Sequence, residues 1–192
     1  ITSQTEQDIR EMIAAAVSQA EEALTRQPEI KREVAGRPAE SESISGDDLL
    51  DCVRRMNEIF IEREWSDGLP LVPPTPRAVQ AMLARTRLSP DTVVVNGLYP
   101  GLGVATVEKI AINGVMAGCR PEHMPVLVAL VRAYEGLGVA GKTQAMSTGP
   151  NAPLVMVSGP AVERLGFNFG SCVIGPGSPS HVNSVVGRAL RL

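Results

Sequence analysis

An amphipathic stretch followed by a charged break sets the tightest limit on what this chain can fold into. Within residues 5–26, Ile9, Met12, Ile13, Ala16, Val17, Ala20 and Leu24 recur at helical spacing and form one stripe. Thr5 is a suitable N-cap, with Asp8 three residues on, and Pro28 marks the stop. Residues 27–46 are charged and polar and hold two prolines, the composition of a linker. A lone helix of this length is marginal in water, so its stripe needs a surface, either on its own domain or on another subunit. The sequence thus divides into an N-terminal helical arm (1–26), a linker (27–46) and a domain (47–192).

Along the domain, Asp47 starts a helix running to Glu64. The segment WSDGLPLVPPTP then carries a turn at Asp67-Gly68, extended backbone at Pro73-Pro74, and Thr75-Pro76 as N-cap and first helical residue of a helix to Arg87. Thr92–Asn96 is a short β-branched strand, and 97–105 a glycine-rich loop. Thr106 caps a helix to Ala117 ended by Gly118, and Pro121 opens another to Glu135. Lys142–Thr148, Pro153–Ser158 and Ser171–Ile174 read as strands, Val162–Leu165 as one helical turn, and His181–Leu192 as a final helix. Short buried strands flanked by helices make the fold class α/β, with the amphipathic helix separate.

Composition excludes several functions. The formal net charge is −3, without the basic face a nucleic-acid binder needs, and aromatics are 3% of 192 residues, too few for base-stacking platforms. No apolar run reaches membrane-spanning length, and the N-terminus has no signal-peptide pattern. Three widely spaced cysteines give neither a disulfide framework nor zinc spacing, which points to a reducing, cytoplasmic setting.

Two segments carry chemistry. In AGCRPEHM, Pro121 fixes a helix start, so Cys119 lies near unpaired backbone N–H groups that favour a thiolate. Arg120 adds positive charge, and His123 is within one turn. The alternative is a structural cysteine buried between two helices. In GPGSPSHVNS, small residues admit a ligand close to the backbone. Ser178, Ser180, Asn183 and Ser184 supply polar groups at a helix start, with Arg188 in the first two turns. The alternative is a solvent loop with ordinary capping. A third loop, STGPNAP, offers the amide of Asn151 after a strand, or is a plain turn. FGSC places Cys172 beside glycine, and Asp67 is either a base or a turn aspartate.

The runs EREWSDGLPLVPPTP and VEKIAINGVMAGCRPEHMPVLVALVRA, and APLVMVSGP followed by IGPG and GRALRL, resemble a poorly characterised bacterial and archaeal family. Its members lie beside, or are fused with, small UGSC-family proteins, some of them selenoproteins. The resemblance covers Leu49 to Leu192. It includes Trp65, Asp67, Gly68, Cys119, Arg120, Pro121, Glu122, Gly175, Gly177, Gly187 and Arg188, whereas His123 stands where relatives carry an aromatic residue, usually Tyr. Relatives typically continue past GRALRL with another large segment. This implies a second protein subunit supplying the remainder, or a segment outside this sequence.

Together these readings lead to an expected subunit of a hetero-oligomeric enzyme acting on a small anionic carboxylate, a lyase or hydrolase at a carbon–heteroatom bond. Cys119 would be nucleophile, redox thiol or metal ligand, Glu122 and His123 acid–base groups, and Arg120 and Arg188 anion clamps. Ser178, Asn183, Ser184 and Asn151 would contact substrate. Two alternatives are a thiol redox subunit exchanging with a partner thiol or selenol, and a non-catalytic scaffold subunit. No metal or cofactor is assigned.

Overall fold

The computed structural model describes residues 5–25, 41–99, 101–138, 140, 141, 143, 147–149, 152–175 and 177–192. The chain separates into two units, residues 1–40 and 41–192. In the first unit, α1 (Glu6–Thr25) forms as its periodicity requires. The Asp8 carboxylate accepts from the Thr5 backbone N–H at 2.8 Å, and the Asp8 N–H donates back to the Thr5 hydroxyl oxygen at 3.3 Å. Ile9, Met12, Ile13 and Val17 are exposed.

The second unit is α/β: helices around a small antiparallel sheet. Its helices start where the capping signals stand. The Asp48 side chain accepts from the Asp51 N–H at the head of α2 (Leu49–Glu62). Thr75 does the same from Ala78 for α3 (Pro76–Leu83), with Pro76 first in the helix. Thr106 caps α4 (Val107–Met116). A 3-10 turn, Pro121–His123, leads into α5 (Met124–Gly136), and a second, Ser178–Ser180, follows α6 (Ala161–Leu165) and leads into α7 (His181–Arg191). Pro125 falls in the first turn of α5, where its missing N–H has no intrahelical acceptor to lose.

The sheet pairs β1 (Val93–Leu98) with β2 (Gly103–Thr106). Val93 lies opposite Thr106 and Leu98 opposite Gly103, with irregularities between Val93 and Val95 and between Asn96 and Leu98. The second strand lies inside the stretch expected as a glycine-rich loop, because four residues give too short a pattern to read. Two expected strands have no ladder among the described residues. Pro153–Ser158 and Ser171–Ile174 pair with nothing among the described residues, and Leu154 and Met156 are 73% and 87% exposed. Of Lys142–Thr148, Thr143 is helical, Ser147 and Thr148 are irregular, and the rest lie outside the described residues. The helix expected to reach Arg87 ends at Leu83.

The core lies where α3, α4, α5 and α7 meet β1. Met82, Val107, Ala111, Met124, Val182 and Val186 are almost fully enclosed there. Gly114, in the middle of α4, explains itself by distance. A Cβ at that position would stand 2.6 Å from Leu127 Cδ1 and 2.8 Å from Met82 Cε, so its absence lets α3 and α5 close on α4.

Helix α2 has no buried residue, unlike α3, α4, α5 and α7. It ends in a Schellman turn built without glycine. Glu64 takes the left-handed conformation (φ 56°), and the N–H groups of Glu64 and Trp65 donate to the carbonyls of Ile61 and Phe60. Trp65 lies edge-on to Phe60 at 5.6 Å, with the Arg63 guanidinium 4.9 Å above its ring. Asn57 ties the helix to the chain at Leu71. Its Oδ1 accepts from the N–H of buried Leu71 at 2.6 Å, and its amide donates to the carbonyl of Val53 at 3.0 Å. Asn57→Ala should therefore loosen α2 alone. By hydrogen exchange, α2 amides should lose about tenfold or more of their protection while those of α5 keep theirs. Equal loss in both helices would show that α2 opens only with the whole unit.

Candidate functional site

Segments far apart in sequence converge on α7. From the WSDG turn, Asp67 receives Arg188 in a fork: Nε donates to Oδ2 at 2.8 Å and Nη2 to Oδ1 at 2.9 Å. Nη2 also donates to the Leu69 carbonyl at 3.0 Å. The side chains are 7% and 18% exposed, so the pair is largely withdrawn from water. The Arg188 guanidinium holds the Asp67 carboxyl below the usual carboxylate range. The folded state thus binds fewer protons than the unfolded chain. The resulting stabilisation is complete above the unfolded value, about 3.9, and is lost as pH falls through the lower folded one. Arg188, expected as an anion clamp, has its fork already filled by a carboxylate. Asp67, weighed as a base or a turn aspartate, is its partner.

From the joint between α4 and the Pro121 turn, the Cys119 thiol donates to the Val185 carbonyl of α7 at 3.4 Å. Burial pushes this thiol up to about 12. The lowered value expected from the helix start does not survive packing. Pro121 does open a helical turn, but enclosure against α7 disfavours the thiolate more than the nearby N–H groups favour it. All three cysteines are free, and Cys172 is exposed.

His123 is 1% exposed. Its Nδ1 accepts the Arg120 backbone N–H at 3.1 Å, which places the neutral ring's hydrogen on Nε2. Burial lowers its affinity for a proton, with neighbouring Glu122 pulling the other way and His181 and Arg120 adding to the fall. The His181 ring stands 6.0 Å away, its Nε2 buried without a hydrogen-bond partner among the described residues. His123 is therefore a neutral core group that shapes the turn. Arg120 and Glu122 lie beside it and are exposed.

At the start of α7, the Asn183 side-chain amide acts as a neighbouring peptide would. Its Oδ1 accepts from the Asn168 N–H at 2.9 Å, and its Nδ2 donates to the carbonyls of Asn168 at 3.1 Å and Val173 at 2.9 Å. Asn168 in turn donates to the carbonyls of Ser171 and Cys172. Asn183, expected to meet substrate, is thus committed to holding the loop. At Gly175 (φ 92°) a Cβ would collide with the Ser180 side chain, so the glycine is required twice over. Ser178 and Ser184 are exposed, and Asn151 lies outside the described residues. Sequence reasoning missed Asn168 and His181. Neither Asn168 nor the pairing of Asp67 with Arg188, 121 positions apart, carries a signal in the sequence. No three His, Cys, Asp or Glu side chains among the described residues gather to hold a metal.

Two measurements check this geometry. Asp67→Ala leaves a partly enclosed guanidinium unpaired and should cost roughly 2–4 kcal/mol in urea unfolding. Asp67→Ala with Arg188→Leu should recover part of that loss, whereas additive costs would show that the two side chains do not depend on each other. For the thiols, alkylation of the native protein at pH 8 should label Cys172 first and leave Cys119 unmodified until denaturant is added. Rapid labelling of native Cys119 would refute its enclosure.

Comparison with known proteins finds no family model, no curated protein and no solved structure that matches this chain.

Proposed function

We propose that this chain is a binding and assembly subunit of a hetero-oligomeric enzyme that acts on a small anionic substrate, and that it does not supply the nucleophile. One observation carries the reading: apolar side chains of the second unit that face water around its motif segments. Leu49 and Leu50 on α2 and Trp65, Leu69 and Val72 beyond it are all exposed. Apolar surface of this kind marks protein interfaces. The neighbouring polar groups are already engaged. Arg188 is spent on Asp67, Asn183 on the loop backbone, and Cys119 is a half-buried thiol bonded to the Val185 carbonyl. A scaffold role explains those internal bonds.

The anionic-substrate part rests on Arg120 and Glu122. Both are exposed beside the Pro121 turn, and among the described residues neither has an ion-pair partner. Arg120 would contact a carboxylate, and Glu122 would exchange a proton with substrate once the partner chain covers the turn. The thiol redox alternative has less support, since the folded protein keeps Cys119 protonated at neutral pH. Free cysteines accord with a cytoplasmic setting, and no described helix is long and apolar enough to cross a membrane.

The test is reconstitution. The partner is identified by affinity capture with the tagged chain, purified separately and mixed with it. Sizing with light scattering should give a complex of fixed stoichiometry, with α2 amides protected from exchange. Leu50→Glu should weaken assembly about tenfold or more without unfolding the chain. In the complex, Cys119→Ser should retain activity and Arg120→Ala should lose most of its affinity for substrate. Full activity of the isolated monomer, or loss of turnover on Cys119→Ser with the fold intact, would overturn the proposal.

A further inference from the structure

The segment Pro153–Ser158 has a strand's sequence and no strand partner among the described residues. Its burial alternates residue by residue: Leu154 and Met156 face water, while Val155 and Val157 are half-buried. That two-residue period belongs to an extended chain with one face on the protein. Among the described residues, no backbone hydrogen bond reaches the N–H or carbonyl groups from Leu154 to Ser158. Most strands left at an edge are guarded by a charge, a bulge or a covering element. Among the described residues this one carries no charge and no bulge, and its one proline, Pro153, stands at its first position. Every residue from Thr143 to Val162 is uncharged, with Lys142 and Glu163 as the nearest charges on either side, and prolines stand only at Pro150, Pro153 and Pro160.

We propose that this segment pairs antiparallel with the same segment of a second copy of the chain, about a two-fold axis at Val155. Only another extended strand offers N–H and carbonyl groups at the spacing this backbone presents. A two-fold antiparallel pair brings residues of like parity together, so Leu154 of each copy lies opposite Met156 of the other. The four exposed apolar side chains then form one cluster, and Val155 lies opposite itself. Like-charge repulsion is what most often forbids a strand from pairing with its own copy, and an uncharged stretch removes it. The contact is isologous and closes at two copies through the edge it uses. It is independent of the hetero-oligomer reading, which rests on α2 and the segment after it.

Sedimentation equilibrium of the full-length chain, with hydrogen exchange read on Leu154–Val157, tests the pairing. The expected result is a reversible monomer–dimer equilibrium in which these amides gain protection as the dimer forms, while those of α2 do not. Met156→Lys should weaken the dimer about tenfold or more, since it places two charges in a small apolar cluster, and Met156→Leu should preserve it. Because Met156 is 87% exposed, either variant leaves the core untouched, which unchanged exchange in α5 verifies. A chain that stays monomeric to its solubility limit would overturn the proposal. So would a dimer unaffected by Met156→Lys, open-ended polymers in place of a closed pair, or protection of these amides only after a different protein is added.

Discussion

The fork between Asp67 and Arg188 is the contact on which the second unit's arrangement depends. It joins residues 121 positions apart and fixes the turn after α2 against the C-terminal helix. With both side chains largely out of water, either group alone would be costly, so the two segments are held or lost together. The third hydrogen bond, to the Leu69 carbonyl, orients the guanidinium and draws the WSDGLP turn along α7. Everything attached to that helix inherits its position: the Cys119 joint through the Val185 carbonyl, the loop before α7 through Asn183, and the His123–His181 pair beneath them.

Seen from α7, the residues with the most chemical character form the fastening of a helix. A guanidinium, a thiol, two amides and two imidazoles surround it, and most of their polar atoms satisfy one another or a nearby backbone group. Such a cluster resembles an active site when read along the sequence, because the same residue types serve both purposes. Desolvation and saturation tell the two apart. A thiol kept protonated by burial is a poor nucleophile, and a guanidinium already holding a carboxylate in both arms has little left for a second anion. Arg120 and Glu122 retain their reach because the 3-10 turn that buries His123 points its neighbours outward.

Helix starts were legible because each is written in one or two adjacent residues: Asp48, Thr75-Pro76, Thr106 and Pro121 act over a single turn. The α/β class followed from the same signals together with the β-branched run at Thr92. β2 was not legible, since Gly103–Thr106 is stabilised by its register against β1 and not by its own pattern. Pro153–Ser158 shows the converse, a pattern that names a strand where the ladder it needs is missing. For the site, positions were read better than roles. Cys119, His123, Asn183 and Arg188 do cluster about α7, but whether each faces solvent or a partner is decided by residues ten or more positions away or by three-dimensional enclosure. Local spacing holds no record of either.

The Asn183 bridge ties the loop's lifetime to covalent chemistry. Both of its Nδ2 hydrogens are spent, on the carbonyls of Asn168 and Val173. Hydrolysis of that one amide to a carboxylate would replace two donors with an anionic acceptor facing two carbonyl oxygens, so both of those contacts would repel and only the bond from the Asn168 N–H would remain. Residues 168–175 would come away from α7 with no change in temperature or solvent. The age of a molecule, as well as its folding equilibrium, thus sets how long the surface bearing Phe169, Val173 and Ile174 keeps its shape.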